Sequence, residues 1–177
     1  MTSSPTAPAG TIDLAALAVG DELARTAHTL SRDTLVRYAG ASGDFNPIHY
    51  NDAVAEGAGL PGVIAHGMLT MGTAITGLLE AVGDPTLVTA YSTRFTGMVP
   101  VPATGEVTLE VVATVGAIDD AAGTARVDLT AEVDGAKVLG RARATLALPR
   151  TAQGADAGAT GAAGTDGAAD ADGQGRA

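Results

Sequence analysis

Between Gly43 and His49 the chain reads Gly-Asp-Phe-Asn-Pro-Ile-His, and a little further on it reads Ala65-His66-Gly67-Met68. Asp44 and His49 stand five positions apart across a turn containing Pro47, a spacing that neither helix nor strand periodicity fixes. A compact loop can still bring carboxylate and imidazole to one cavity, where they make an acid–base pair. Histidine is the side chain best suited to proton exchange near neutrality, and a neighbouring carboxylate orients it or takes the complementary role. Asn46 lies between them, placed to hold either group by hydrogen bonds. Gly67 opens an apolar run of helical length. The first N–H groups of a helix lack internal partners and form the positive end of its dipole. A glycine there lets a carbonyl oxygen approach, which is an oxyanion-hole arrangement. Base, acid and oxyanion donor together suit proton removal beside a carbonyl, with water lost or gained across the adjacent bond. Each piece also has a plainer use. Gly-Asp-x-Asn-Pro builds turns, His66 can cap or pack at a helix start, and Met68 can fill a core or face an apolar channel.

The elements that must position these groups follow from local chemistry. Leu23 to Leu30 reads as a first strand after a turn at Val19–Glu22. Ser31 reads as the N-cap of a helix carrying Leu35, Val36, Tyr38 and Ala39, with Asp33 in its first turn and an end near Gly40–Gly43. Asn51 or Asp52 caps a short helix, and Gly57, Gly59, Pro61 and Gly62 mark a loop. From Gly67 to about Leu79 the residues are apolar on most sides, which predicts a helix buried in the middle of its domain. Four strands are predicted after it, over Thr86–Phe95, Glu106–Val115, Thr124–Val133 and Ala136–Leu148, with turns at Asp119–Gly123 and Asp134-Gly135. The last two alternate, Val127, Leu129, Ala131 and Val133 on one face, then Val138, Ala142, Ala144 and Leu146. The class is α+β, an antiparallel sheet curled around one central helix. His28 reads as structural, and Tyr38 and Tyr50 as packing residues.

Composition narrows the chemistry. The 177 residues suit a single domain, expected over 11–150, with disorder at 1–10 and in the low-complexity Ala/Gly/Asp/Thr tail 151–177. Twenty acids against ten bases give a net charge of -10, which disfavours nucleic acid and anionic membrane. No cysteine is present, so disulfides, thiolate catalysis and Cys-based metal sites are excluded, and three histidines leave little for an all-His site. No metal and no cofactor are expected. The first ten residues carry no Lys or Arg, and the apolar stretch Met68–Val82 is interrupted by Thr, Gly and Glu. A cytoplasmic protein without a membrane span is the expectation.

The run Tyr38–His49 followed by Ile64–Met68 closely resembles the MaoC-like hydratase/dehydratase family, hot-dog-fold proteins related to the (R)-specific enoyl-CoA hydratases. With Ser31–Tyr50, Ile64–Gly72 and Arg94-Phe95-Thr96 included, it looks most like the catalytic subunit of actinobacterial (3R)-hydroxyacyl-ACP dehydratase. The resemblance covers roughly 11–148 and implies a single hot-dog domain. It implies that Asp44 and His49 are a catalytic dyad and that the Gly67 N–H polarises a thioester carbonyl. Asn46, His66 and Met68 are expected in supporting or substrate-contacting places. It implies an acyl-CoA or acyl carrier protein thioester as substrate, and a homodimer or a heterodimer with another hot-dog subunit. Polyhydroxyalkanoate-type hydratases are expected to carry Ser eight positions after the motif glycine, where this chain has Ile75. That departure leaves the dyad intact and weakens any transfer of short-chain specificity. Two other readings stay open. One is a non-catalytic hot-dog subunit that binds acyl chains or stabilises a partner. The other is a thioesterase, for which Glu80 is the only acid on the central helix.

Overall fold

The computed structural model describes residues 12–148, so the expectations for 1–10 and 151–177 lie outside the described residues. Strand β1 (Glu22–Leu30) runs into helix α1 (Arg32–Ser42) through a reciprocal cap. The Ser31 hydroxyl accepts from the Thr34 N–H, and the Thr34 hydroxyl accepts from the Ser31 N–H at 3.2 Å. Gly43, at φ 75°, ends α1 in the left-handed conformation that glycine adopts without strain. A short 3-10 turn (Pro47–His49) and α2 (Asp52–Gly57) follow, the latter capped by the Asn51 side chain. Helix α3 (Gly67–Val82) is the longest, and strands β2 (Val88–Phe95), β3 (Val107–Asp119), β4 (Thr124–Val133), β5 (Ala136–Lys137) and β6 (Leu139–Ala147) complete the domain. The sheet is antiparallel in the order β1-β3-β4-β6-β2, with β5 on β4. It curls over α3 as a hot-dog. The β4–β5 hairpin turns on Asp134 and Gly135, both left-handed at φ 50° and 75°, as a two-residue turn requires.

Three features depart from the sequence reading. Strand β3 extends past Val115 to Asp119, because pairing with β4 continues through Asp119 and Thr124 beyond a bulge. The last strand is split. Val138 and Leu139 are both buried, and two consecutive residues cannot face one side of an unbroken strand. The break leaves the Val138 carbonyl accepting from the N–H groups of Thr96 and Gly97, at 3.0 and 3.1 Å, and puts Arg141 at φ 51°. Helix α3, third, is buried on one side rather than all round. Thr70, Ala74, Gly77, Leu78, Ala81 and Val82 face the sheet, while Met68 is 58% exposed. One chain's sheet covers only one side of the helix.

The core joins Leu78 and Ala74 of α3 to Leu109, Val111, Val115, Val127, Leu129 and Leu146 of the sheet, with Leu35 of α1 at its end. Helix and sheet approach closely at Gly77, where an added Cβ would lie 2.6 Å from the Thr26 methyl of β1. Gly77→Ala is therefore expected to lower stability by about 1–3 kcal/mol through overpacking. A thermal melt reads this as a midpoint several degrees lower; an unchanged midpoint would contradict the close approach.

Candidate active site

The Asp44–His49 turn is built from side chains bonding their own backbone. The Ser42 hydroxyl donates to the Tyr38 carbonyl at 2.8 Å and accepts from the Asp44 N–H at 3.2 Å. A carboxylate oxygen of Asp44 accepts from the Asn46 N–H at 3.2 Å, and Asn46 Oδ1 accepts from the Ile48 N–H at 3.3 Å. Asn46 thus caps the 3-10 turn that carries His49, with Pro47 at its first position. Its side chain acts on the imidazole through the backbone and bonds neither member of the pair, while its backbone N–H donates to the Asp44 carboxylate.

His49 is 8% exposed, and its Nδ1 lies 2.7 Å from the Ile64 carbonyl oxygen. A carbonyl only accepts, so Nδ1 carries the proton and Nε2 of the neutral ring keeps its lone pair. Ile64 is itself fixed from a distance. Val63 and Ala65 exchange backbone bonds with Val101 and Val99, at 2.9 and 2.8 Å, around a bridge between Ile64 and Pro100. The exposed Asp44 carboxylate, the His49 ring and the His66 ring then converge: one ligand atom from each lies within 4.8 Å of the others.

His66 is 1% exposed and stacks on His49 with ring centroids 3.8 Å apart and an interplanar angle of 24°. The Tyr38 ring, expected only to pack, lies tilted against the His66 ring with centroids 4.8 Å apart. His66 Nε2 sits 3.1 Å from the Asp44 backbone carbonyl, to which it donates. Burial pushes this imidazole below its ordinary value, opposed by that bond to the Asp44 carbonyl. His66 is also the residue preceding α3, and no side chain caps that helix start. Gly67 follows as the first helical residue. A Cβ there would meet the Phe95 ring at 3.2–3.3 Å, so the missing side chain lets Phe95 lie against the helix end. Tyr91 ties the same strand to α3, its hydroxyl donating to the Met71 carbonyl at 3.0 Å, and burial pushes that phenol up to about 12.

Sets of one carboxylate and two imidazoles often hold metals, but this one does not fit. Stacked rings aim their in-plane lone pairs side by side, whereas ligands of one ion point to a common centre. Nδ1 of His49 and Nε2 of His66 are besides engaged with carbonyls. The set fits proton transfer better. Beside it, Leu35, Val36, Ala39, Phe45, His49 and Tyr50 line an apolar recess of about 260 Å³. Met68 stands at the exposed start of α3 and not in the hydrogen-bonded cluster. The Ile64 carbonyl and the Phe95 ring are the participants that residue types did not single out; their positions in the segments Ile64–Met68 and Arg94-Phe95-Thr96 were the available signal. His28 bonds Thr26 at 2.9 Å, away from this cluster on β1.

A family model of the MaoC like domain matches residues 16–133. The chain is 46% identical over 56 residues to a peroxisomal enoyl-CoA hydratase 2 of Arabidopsis thaliana, covering 30% of this chain and 18% of that protein. It is 43% identical over 68 residues to a 3-hydroxyacyl-thioester dehydratase X of Mycobacterium tuberculosis, covering 38% of this chain and 23% of that one. These matches span less than a quarter of either relative's length. A solved structure described as a MaoC-like dehydratase superposes with a TM-score of 0.75 at 39% identity, over 80% of this chain and 44% of that chain.

Proposed function

The chain belongs to the MaoC-like domain family, and from that premise we propose that it interconverts (3R)-hydroxyacyl and enoyl thioesters by removing or adding water. The observation that carries this reading is the meeting of the Asp44 carboxylate and the His49 ring at the start of α3. In dehydration the Asp44–His49 pair, a carboxylate and an imidazole with a free Nε2 lone pair, takes the proton from C2 and passes that proton to the departing C3 hydroxyl; the C3–O bond breaks, water leaves and the C2–C3 double bond forms. His49 works through Nε2, its Nδ1–H being committed to Ile64. The enolate oxygen that develops on the thioester carbonyl is held by the Gly67 N–H. Hydration runs the same steps backwards. Asn46 supports the pair by capping its turn, His66 backs His49, and Met68 and Phe95, each about half exposed, are the apolar groups proposed to meet the substrate beside Gly67.

The recess beside His49 presents no polar surface and suits the acyl chain. Arg94 and Arg143 sit on the neighbouring strands β2 and β6, where Ser92 pairs Arg143 and Arg94 pairs Gly140; Arg143 shares Asp128 with Arg126. These cations are the proposed contacts for a phosphate-bearing carrier, CoA or acyl carrier protein. Among the described residues strands β1 and β2 end the sheet and one side of α3 is uncovered, so a second hot-dog chain, identical or different, is the proposed partner. The test is direct. Purified protein with trans-2-enoyl-CoA substrates of graded chain length should consume the enoyl thioester absorbance and yield the 3R alcohol. No turnover at any length, on CoA or on carrier protein, would leave the acyl-binding, non-catalytic subunit as the better reading.

A further inference from the structure

We infer that His66 is the positioning residue of this site: its imidazole locks the Asp44 turn, the His49 ring and the start of α3 into one unit. This rests on the hydratase–dehydratase reading for its consequence, though not for its geometry. Three separate contacts meet in one residue. The Nε2–H donates to the Asp44 carbonyl across 22 sequence positions, the ring face lies on His49 at 3.8 Å, and the His66 carbonyl accepts the Thr70 N–H at 3.1 Å, beginning the helix that carries Gly67. Without this imidazole the Asp44 turn loses its bond to the start of α3 and the His49 ring loses its stacking partner, leaving His49 its bond to the Ile64 carbonyl. A displacement of about 1 Å in such an arrangement costs on the order of 10²-fold in rate.

The protonation state follows from burial. Nδ1 of His66 is buried with no hydrogen-bond partner among the described residues, so a second proton there would be an unpaired buried N–H. The groups facing the ring are His49, Asp44 and Tyr38; a charge on His49 opposes one on His66, and Asp44 favours it. Burial prevails, and His66 works as a neutral Nε2–H donor that exchanges no proton with substrate.

Two substitutions separate its parts. His66→Phe keeps ring, stacking and burial but has no donor. His66→Gln restores an amide N–H of similar reach. We expect His66→Phe to lower kcat about 100-fold with KM changed less than about threefold, and His66→Gln to recover at least tenfold of that loss. Nitrogen-15 shifts of the wild-type imidazoles give a readout independent of turnover: His66 should be the neutral Nε2–H tautomer at pH 7. Thermal melts give another. Because the folded value lies below the ordinary one, near 6.5, the unfolded chain takes up this proton first as pH falls. Stability therefore drops from about pH 6.5 downward until the folded imidazole also charges, and His66→Phe should flatten that slope. A charged or Nδ1–H His66 at pH 7 would overturn the inference, as would a folded Phe variant with wild-type kcat. An inactive wild type whose His66 shows the neutral Nε2–H signature would instead count against the proposed reaction alone.

Discussion

Asp44→Asn lowers turnover of enoyl thioesters by about 10²–10⁴-fold while the thermal midpoint stays close to that of the parent protein. The asymmetry comes from where the residue sits. Its carboxylate is exposed, and its single local task, accepting from the Asn46 N–H at 3.2 Å, can be taken over by an amide oxygen. What the amide cannot do is carry a proton to or from the substrate. His49 needs a pair of variants, because the ring is buried and donates to Ile64 at 2.7 Å. His49→Ala leaves that carbonyl and the face of His66 uncovered, so some loss of stability accompanies the loss of rate. His49→Gln keeps an N–H for Ile64 without an ionisable group. Both should fall into the same 10²–10⁴ range in kcat. Steady-state rates near those of the parent in either Asp44→Asn or His49→Gln, with folding verified by circular dichroism, would dismiss the assigned pair.

The parts of this site legible in the sequence are those made by residues bonding their neighbours. Ser31 with Thr34, Gly43, Asn46 with Pro47, and Asn51 all act within four positions, and side-chain type alone decides such caps and turns. The Asp134-Gly135 hairpin is of the same kind. The convergence of Asp44, His49 and His66 is different, because it depends on Val63–Ala65 pairing with Val99–Val101 and on a ring stack between residues 17 positions apart. No period or local preference encodes that. Helix α3 shows the converse limit. Its apolar composition states that both sides avoid water, but composition is silent on whether the cover comes from the same chain. The split between β5 and β6 was hidden for a simpler reason: the even-numbered apolar positions keep perfect alternation, and only the adjacent pair Val138-Leu139 betrays the break.

The oxyanion donor can be tested by one atom, because the local backbone tolerates the substitution that removes it. Gly67 is the first residue of α3, the helical position where proline fits best, and the residue before a proline must be extended or polyproline-like. His66 already is, at φ -58° and ψ 133°. Gly67→Pro should therefore fold, deleting an N–H that the helix itself does not use. Proline also brings a Cβ against Phe95 at 3.2–3.3 Å, so Gly67→Ala is the control that adds the same atom and keeps the donor. Phe95 is 53% exposed and free to yield by a few tenths of an ångström, so Gly67→Ala is expected within about tenfold of parent kcat/KM. Gly67→Pro should fall a further 10²–10³-fold, the usual cost of one oxyanion donor. The loss should appear in kcat more than in KM, since the oxygen gains its negative charge only as the C2 proton leaves. Equal rates for the two variants would mean that the thioester oxygen lies elsewhere, and that the start of α3 serves packing alone.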